Sequence, residues 1–311
     1  MGASAKLSEP ARFGLARAVV VLLGSFAVAC GTTPKSQFPD AEAAIASMRK
    51  GLACSRGISG EAKVDYIDEH GRVRGSVVIL AALPDRTRLD AISPFGVSLS
   101  TLTTDGDKFT YYDLAHRQFL EGKASPCNIA RFTQVPMPAF ALVQLLRGEA
   151  PILKHQIGSA TIDWRSSLLG AGHYEIEIRG NYEATERIAM VPHPDDYARP
   201  WQEQRLRVTR VALSQQGIPL YDAFLEDHQA AQTAAPRVDP DGLDPPVPPS
   251  GPECTAEIPR RVRLVMPETE RDLVVHFESI QHNPPLIEGV FRQVRPDGVS
   301  VQVAECSSSS K

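Results

Sequence analysis

The chain has 311 residues, enough for one large all-β domain or two small ones. Its net charge of −4 argues against a nucleic-acid footprint. With 25 Pro and 22 Gly, the composition favours many turns and little long helix.

Lys6, Arg12 and Arg17 form a basic n-region whose one acid is Glu9. Residues 18–29 are an apolar stretch of signal-peptide length, too short to span a bilayer. It ends Ala27-Val28-Ala29-Cys30. Small residues before a Cys resemble the bacterial lipobox, whose Cys thiol is diacylglycerylated before cleavage; Ala27 stands where Leu is usual. The alternative is an ordinary A-x-A signal cleaved before Cys30, leaving a free thiol. Residues 1–29 are read as a lipoprotein signal peptide and 30–39 as a lipidated, polar tether. A diacylglycerol and an N-acyl group on Cys30 would anchor firmly, because one chain alone binds only marginally. Gly31 after the Cys resembles the enterobacterial signal for the outer membrane, on its periplasmic face in a Gram-negative cell.

There are five Cys. Removing Cys30 leaves Cys54, Cys127, Cys254 and Cys306, an even number in an exported chain. None has C-x-x-C spacing, so metal and redox motifs are not expected. Two disulfides are the simplest account, with three connectivities open.

Asp40 can cap a helix over residues 41–54, with Ala41, Ala44, Ile45, Met48 and Leu52 on one face. Period-two strands follow at 60–68, 73–83, 86–92 and 97–102. The last two meet at Ser93-Pro94-Phe95-Gly96, where Pro fixes φ and Gly accepts positive φ. Phe95 is odd there. It either folds back to plug one end of a barrel or projects as an apolar finger. Asp105-Gly106-Asp107 turns the chain into strands at 108–113 and 117–121. Helical turns are expected at 126–133. A short helix spans 139–147, with Pro138 near its first turn and Gly148 near its C-cap. Phe140, Leu142, Leu145 and Leu146 make that helix apolar nearly all round, which normally means burial. It would cover or fill the open side of a curved sheet.

Strands resume at 160–165, 173–179, 187–191, 205–214 and 220–227. The 205–214 run alternates cleanly, with basic residues on one face. Residues 230–254 are Pro-dense and almost core-free, and read as a mobile surface loop. Strands at 260–266 and 273–280 follow, then a helical turn within 291–298, an edge strand at 299–303 and a tail at 307–311. The body thus divides into 40–229 and the closing strands of 255–306. The fold class is mainly β with small α: a single curved antiparallel sheet forming an incomplete β-barrel with a helical lid or plug. Such a sheet can enclose an apolar cavity.

No enzyme motif is present: no G-x-S-x-G, H-E-x-x-H, Walker sequence or G-x-G-x-x-G. His193-Pro194-Asp195-Asp196 reads as a polar turn. Asp239, Asp241 and Asp244 lack the spaced Glu of a calcium loop. An enzyme, a metal and a nucleic-acid partner are not expected.

Residues 92–96 with 97–102 resemble the LolB family of outer-membrane lipoprotein receptors. So do Val135-Pro136-Met137-Pro138 with Leu142, Leu145, Leu146 and Gly148, the 259–280 hairpin and the 60–66 strand. The resemblance implies a half-closed barrel with an apolar cavity under a helical lid. It also implies a monomer that receives acylated lipoproteins from a periplasmic LolA-like carrier and places them in the outer membrane. Phe95, between Pro94 and Gly96, falls where that family projects a bulky apolar residue toward membrane or acyl chains, and Cys30 falls at its acylated position. Residues 200–254 and the four further Cys have no counterpart. A periplasmic lipid or glycolipid carrier, and a structural lipoprotein with a filled barrel, share the same fold.

Overall fold

The computed structural model describes residue 2 and residues 33–133, 135–166 and 172–305. The signal peptide apart from residue 2, Cys30, Cys306 and the tail lie outside the described residues.

Helix α1 (Ala41–Gly51) starts where Asp40 accepts a hydrogen bond from the Ala43 N–H at 2.7 Å. It buries Ala41, Ala44, Ile45 and Met48, the stripe expected from helical spacing. Strands β1 (Gly57–Asp68), β2 (Gly71–Ala82), β3 (Arg86–Ile92), β4 (Ser98–Thr104), β5 (Lys108–Asp113) and β6 (Gln118–Lys123) form a meander. Helices α2 (Pro126–Thr133) and α3 (Ala139–Leu146) interrupt it. A second meander follows: β7 (Ala160–Arg165), β8 (His173–Arg179), β9 (Ala184–Pro192), β10 (Leu206–Gln215), β11 (Ile218–Ala230), β12 (Glu257–Met266) and β13 (Arg271–His282). Pairing of β1 with β13 joins the two into one sheet. β7 ends the sheet on one side and β14 (Val301–Val303) on the other, so the barrel does not close.

Successive turns put every hairpin of one parity at the same end. The β1–β2, β3–β4, β5–β6, β8–β9, β10–β11 and β12–β13 turns form one end, called here the rim. The connections β2–β3, β4–β5, β9–β10 and β11–β12 form the base. Two rim turns hold consecutive residues at positive φ, Tyr182 and Glu183 (both 56°) and Gln216 with Gly217 (51° and 78°), the backbone that suits the twist of a tight hairpin. The concave face is apolar and carries α1 and α3. The convex face carries cross-strand ion pairs such as Arg210–Asp222 and Arg263–Asp272, whose Arg Nε atoms lie 2.8 and 2.9 Å from a carboxylate oxygen.

The sheet is the single curved antiparallel one expected, with the three-residue β14 added parallel to β6. Other expectations change. The 205–214 run does not alternate cleanly: a bulge between Val208 and Arg210 buries Val208 and Val211 alike. Residues 291–298 form no helix; they strap the convex face, where Gln293 Nε2 donates to the Thr101 and Thr110 carbonyls. The 230–254 segment is not a free loop. Backbone bridges tie Thr233 to His282, Arg237 to Val247 and Pro249 to Pro285, and Ala231 and Ala234 are buried. Sparse apolar residues suffice there because the segment lies on the base rather than forming a core of its own.

A disulfide joins Cys54 to Cys254 and pins the end of that segment to the chain just beyond α1. Cys127 is also disulfide-bonded, and both remaining Cys that could partner it lie outside the described residues. The 54–254 bond closes a loop across a sequence separation of 200 residues. The double variant Cys54→Ser/Cys254→Ser is expected to lose about 2–5 kcal/mol in urea unfolding under non-reducing conditions. A change under about 1 kcal/mol would mean that the surrounding polar contacts hold the base alone.

Candidate functional site

The concave side holds two apolar clusters. The larger joins α1 and α3 to β1, β2 and β8–β13. The smaller gathers Leu102, Phe109, Ile129 and Ala304, with Tyr111 and Phe132 packed on it. A cavity of about 170 Å³ lies at the seam between them. From the sheet it is lined by Val64, Val77, Ile79, Leu89, Ala91, Leu102, Tyr111, Leu264, Leu273 and Val275, and from the helices by Phe132, Leu142 and Leu146. Among the described residues, Ser100 and Thr133 are its only side chains bearing a hydroxyl apart from Tyr111. None of the described lining residues is charged, which suits a ligand of methylene groups and not a polar one. The volume is smaller than the roughly 300–1,000 Å³ of ordinary small-molecule sites. It is nearer the roughly 150 Å³ of an engineered apolar cavity that stays dry and accepts benzene.

Strand alternation aims the lining inward. Leu89 and Ala91 on β3 face Leu102 and Ser100 on β4. The same two strands continue past the cavity to the rim turn that carries Phe95. Gly96 N–H donates to Ser93 O at 2.9 Å, and Ser93 N–H donates to Val97 O at 2.8 Å. Ser93 Oγ accepts from Val97 N–H at 3.1 Å, and Gly96 sits at φ 77°. Pro94 fits the first central position. Backbone and Ser93 therefore build this turn, and the Phe95 side chain takes no part in it. Phe95 is 92% exposed. The structure accordingly places it outside the core, and the plug alternative does not describe it.

The expected lid divides. Leu142 and Leu146 line the cavity, and Leu145 is buried in the main core. Phe140 is a correction: it is 45% exposed and lines no part of the cavity. Helix α3 is one side short of full burial, and Phe140 occupies that side. The lining residues that sequence reasoning missed are Tyr111 and Phe132, whose rings stack with centroids 4.2 Å apart, and the inward members of β1, β2, β12 and β13. Their alternation is visible in the sequence, but which parity faces in depends on the curvature of the whole sheet.

The His193–Asp196 stretch is a short 3₁₀ turn, with Asp196 buried against Arg205. Burial alone would raise that carboxyl, but hydrogen bonds from the Arg205 side chain and backbone outweigh it and hold the pKa below the ordinary value. The Asp239 carboxylate accepts the N–H groups of Leu243 and Asp244 at 2.8 and 3.1 Å, which makes it a turn former.

A buried carboxyl stands inside the barrel. Glu186 is fully buried and accepts Leu153 N–H at 2.9 Å, while its Oε1 has no partner. Burial pushes its carboxyl up to about 7. His155 beside it donates to Leu153 O at 2.7 Å and to Glu42 Oε1 at 2.9 Å, and these contacts raise its pKa. Both raised values act in one direction. The stability they contribute is complete below the unfolded pKa values and is lost as pH rises through the folded ones. For Glu186 that window runs from its ordinary value near 4.5 to about 7. Glu186→Gln is expected to match the parent at about pH 5 and to exceed it by about 2–3 kcal/mol at about pH 8.5, in paired urea titrations. Equal stabilities at the higher pH would show that the folded carboxyl ionises freely.

The fold and the cavity define a class: an unclosed, curved antiparallel half-barrel with an apolar pocket under short helices. No family model matches the chain. No curated protein matches it either. Among solved structures, a DUF1329 family protein from Desulfovibrio piger is similar at 10% identity with a TM-score of 0.52, over 81% of this chain and 95% of that one. A LolA superfamily protein from Nitrosomonas europaea (82% and 99% covered) and an outer membrane lipoprotein-sorting protein domain from Vibrio parahaemolyticus (80% and 95%) are each similar at 10% identity with a TM-score of 0.47. At such identity the first likeness shows the fold alone, and the other two carry nothing further. The fold is the incomplete barrel that the LolB-like reading of the sequence implied.

Proposed function

We propose that this chain is an envelope lipoprotein that binds acyl chains in its half-barrel cavity and receives or inserts acylated lipoproteins at the outer membrane. The observation that carries this reading is the uncharged cavity under α3, joined along β3 and β4 to the exposed Phe95. Cys30 as an acylated anchor, the membrane as partner and a LolA-like carrier as donor rest on the lipobox and on the resemblance. The reading carries no catalytic role, since the sequence offers no enzyme motif. Transfer of one acyl chain asks for more room than about 170 Å³, so the seam must widen by movement of α2 with Phe132 away from α3.

The test is native mass spectrometry of a soluble form beginning after Cys30, purified from cells and then mixed with a palmitoylated peptide. Copurifying acyl species, or a one-to-one peptide adduct, support the reading. Failure to bind either would favour the second one, a structural lipoprotein whose barrel is closed by the Tyr111–Phe132 stack. Bound phospholipid or glycolipid without peptide capture would indicate a lipid carrier.

A further inference from the structure

The base, not the rim, holds the start of the folded chain. Lys35 N–H donates to Tyr197 O at 3.1 Å, and Ser36 O accepts from Gln204 Nε2 at 2.8 Å. Phe38 packs against Tyr174 and Trp201 with ring centroids 5.3 and 5.4 Å away. These partners lie in the β9–β10 connection and at the base end of β8. The chain is thus fixed to the base from Lys35 onward. Five peptide steps separate Lys35 from Cys30 and reach at most about 17 Å. The ten residues of β10 rise about 33 Å from base to rim, and about 25 Å along the barrel axis at a strand tilt near 40°. An anchor at Cys30 therefore cannot let the barrel stand on its rim in the same bilayer.

Lying flat gains nothing either. The convex wall carries the ion pairs Asp65–Arg72, Arg207–Glu257, Arg210–Asp222 and Arg263–Asp272, which need water around them. Exposed apolar side chains stand at the rim turn after turn, and Val238 and Leu243 are exposed on the segment at the base. Val73, Phe95, Leu114, Ile157, Tyr182 and Ile218 are all exposed, each at a different strand end. Apolar groups scattered singly need no explanation, but a row of them at six strand ends of the rim marks a surface that meets something greasy.

We propose that the short tether keeps the base on the bilayer and turns the rim away from it, so that Phe95 and its neighbours meet acyl chains borne by polypeptides arriving from the aqueous side. This rests on Cys30 being acylated, as proposed above. It assigns Phe95 a cargo contact and denies it a contact with the anchoring membrane.

The full acylated protein with Phe95→Trp is reconstituted in phosphatidylethanolamine–phosphatidylglycerol vesicles with and without doxyl-labelled lipid. The native Trp164 and Trp201 lie toward the base, so the parent protein supplies the background to subtract. Emission from the introduced indole is expected to be equal in both vesicle types. Twelve Gly/Ser residues inserted before Lys35 are expected to make it quenchable, since the added segment spans about 20 Å on average. A water-soluble peptide bearing a doxyl-stearoyl chain is expected to quench the same indole at native tether length. Quenching by vesicle lipid at native length overturns the proposal, as does a long-tether variant that stays unquenched or a peptide without effect. Mass spectrometry of the same preparation separates the two readings. A chain lacking the acyl mass defeats the anchor itself, whereas an acylated chain whose rim indole sits in lipid defeats only the orientation.

Discussion

Arg147→Met should cost about 3–5 kcal/mol in urea unfolding, which is a large share of the stability of an ordinary domain. Arg147 follows α3 and is 2% exposed. Its Nη1 donates to Glu149 Oε2 at 2.9 Å, and its Nη2 donates to Leu52 O at 3.2 Å and to Ser55 O. Burial lowers its pKa, but the Glu149 carboxylate opposes that shift and keeps it cationic. Methionine fills similar space and takes a charged donor from the Ser55 and Leu52 carbonyls and from the buried Glu149 carboxylate, leaving Leu52 O with the Ser55 N–H at 3.0 Å and Glu149 with Arg49 at 3.9 Å. The loss extends past one pair. Ser55 Oγ–H reaches His282 Nδ1 at 2.9 Å, and His282 Nε2–H donates to Ala256 O at 2.9 Å. Asn283 Nδ2 donates to Cys54 O and Pro252 O at 2.8 and 2.6 Å. One polar node thus fastens α1, α3, the end of β13 and the 250–256 segment at the base. Adding Glu149→Gln to Arg147→Met should recover part of the loss, because the buried carboxylate, left with only the exposed Arg49, is then neutral. A double variant as unstable as the sum of the two single ones would show that the pair acts as independent residues.

This node was not legible in the sequence. Arg147, Ser55, His282 and Asn283 are far apart in the chain, and each alone reads as a surface or turn residue. Only the pairing of β1 with β13 brings them together. The strands were legible, since two-residue alternation and Gly, Pro or Asp turns report local geometry. The Phe95 turn was legible for the same reason. The 230–254 segment misled because low apolar content argues against a core of its own, and here bridges to His282 and Pro285 and the Cys54–Cys254 bond order it from outside. Phe140 misled because its helix carries a single polar residue, Gln144, one turn on, and that alone marks the outward side the two share. The cavity was legible as a kind and not as a list. A curved apolar sheet implies a pocket, but its lining follows from where two clusters fail to meet.

Phe95→Glu should leave the fold intact and abolish acyl capture. Nothing in the Ser93–Val97 turn depends on the ring: its hydrogen bonds come from the backbone and Ser93, and the side chain is 92% exposed. An exposed substitution of this kind is expected to move stability by no more than about 0.5 kcal/mol. Acyl contact is a different matter. A carboxylate at the tip would have to shed water to meet a methylene chain, and the desolvation of one charge exceeds what a single aromatic contact returns. Capture of a palmitoylated peptide by the soluble form should therefore fall at least tenfold, while Phe95→Leu retains it. Leu146→Trp, which fills the cavity from α3, should lower capture as well, without changing exposure at the rim. If Phe95→Glu unfolds the protein, the ring is part of the structure after all. If it folds and still binds the peptide at parental affinity, then acyl chains enter the seam by another edge, and the rim turn is not their route.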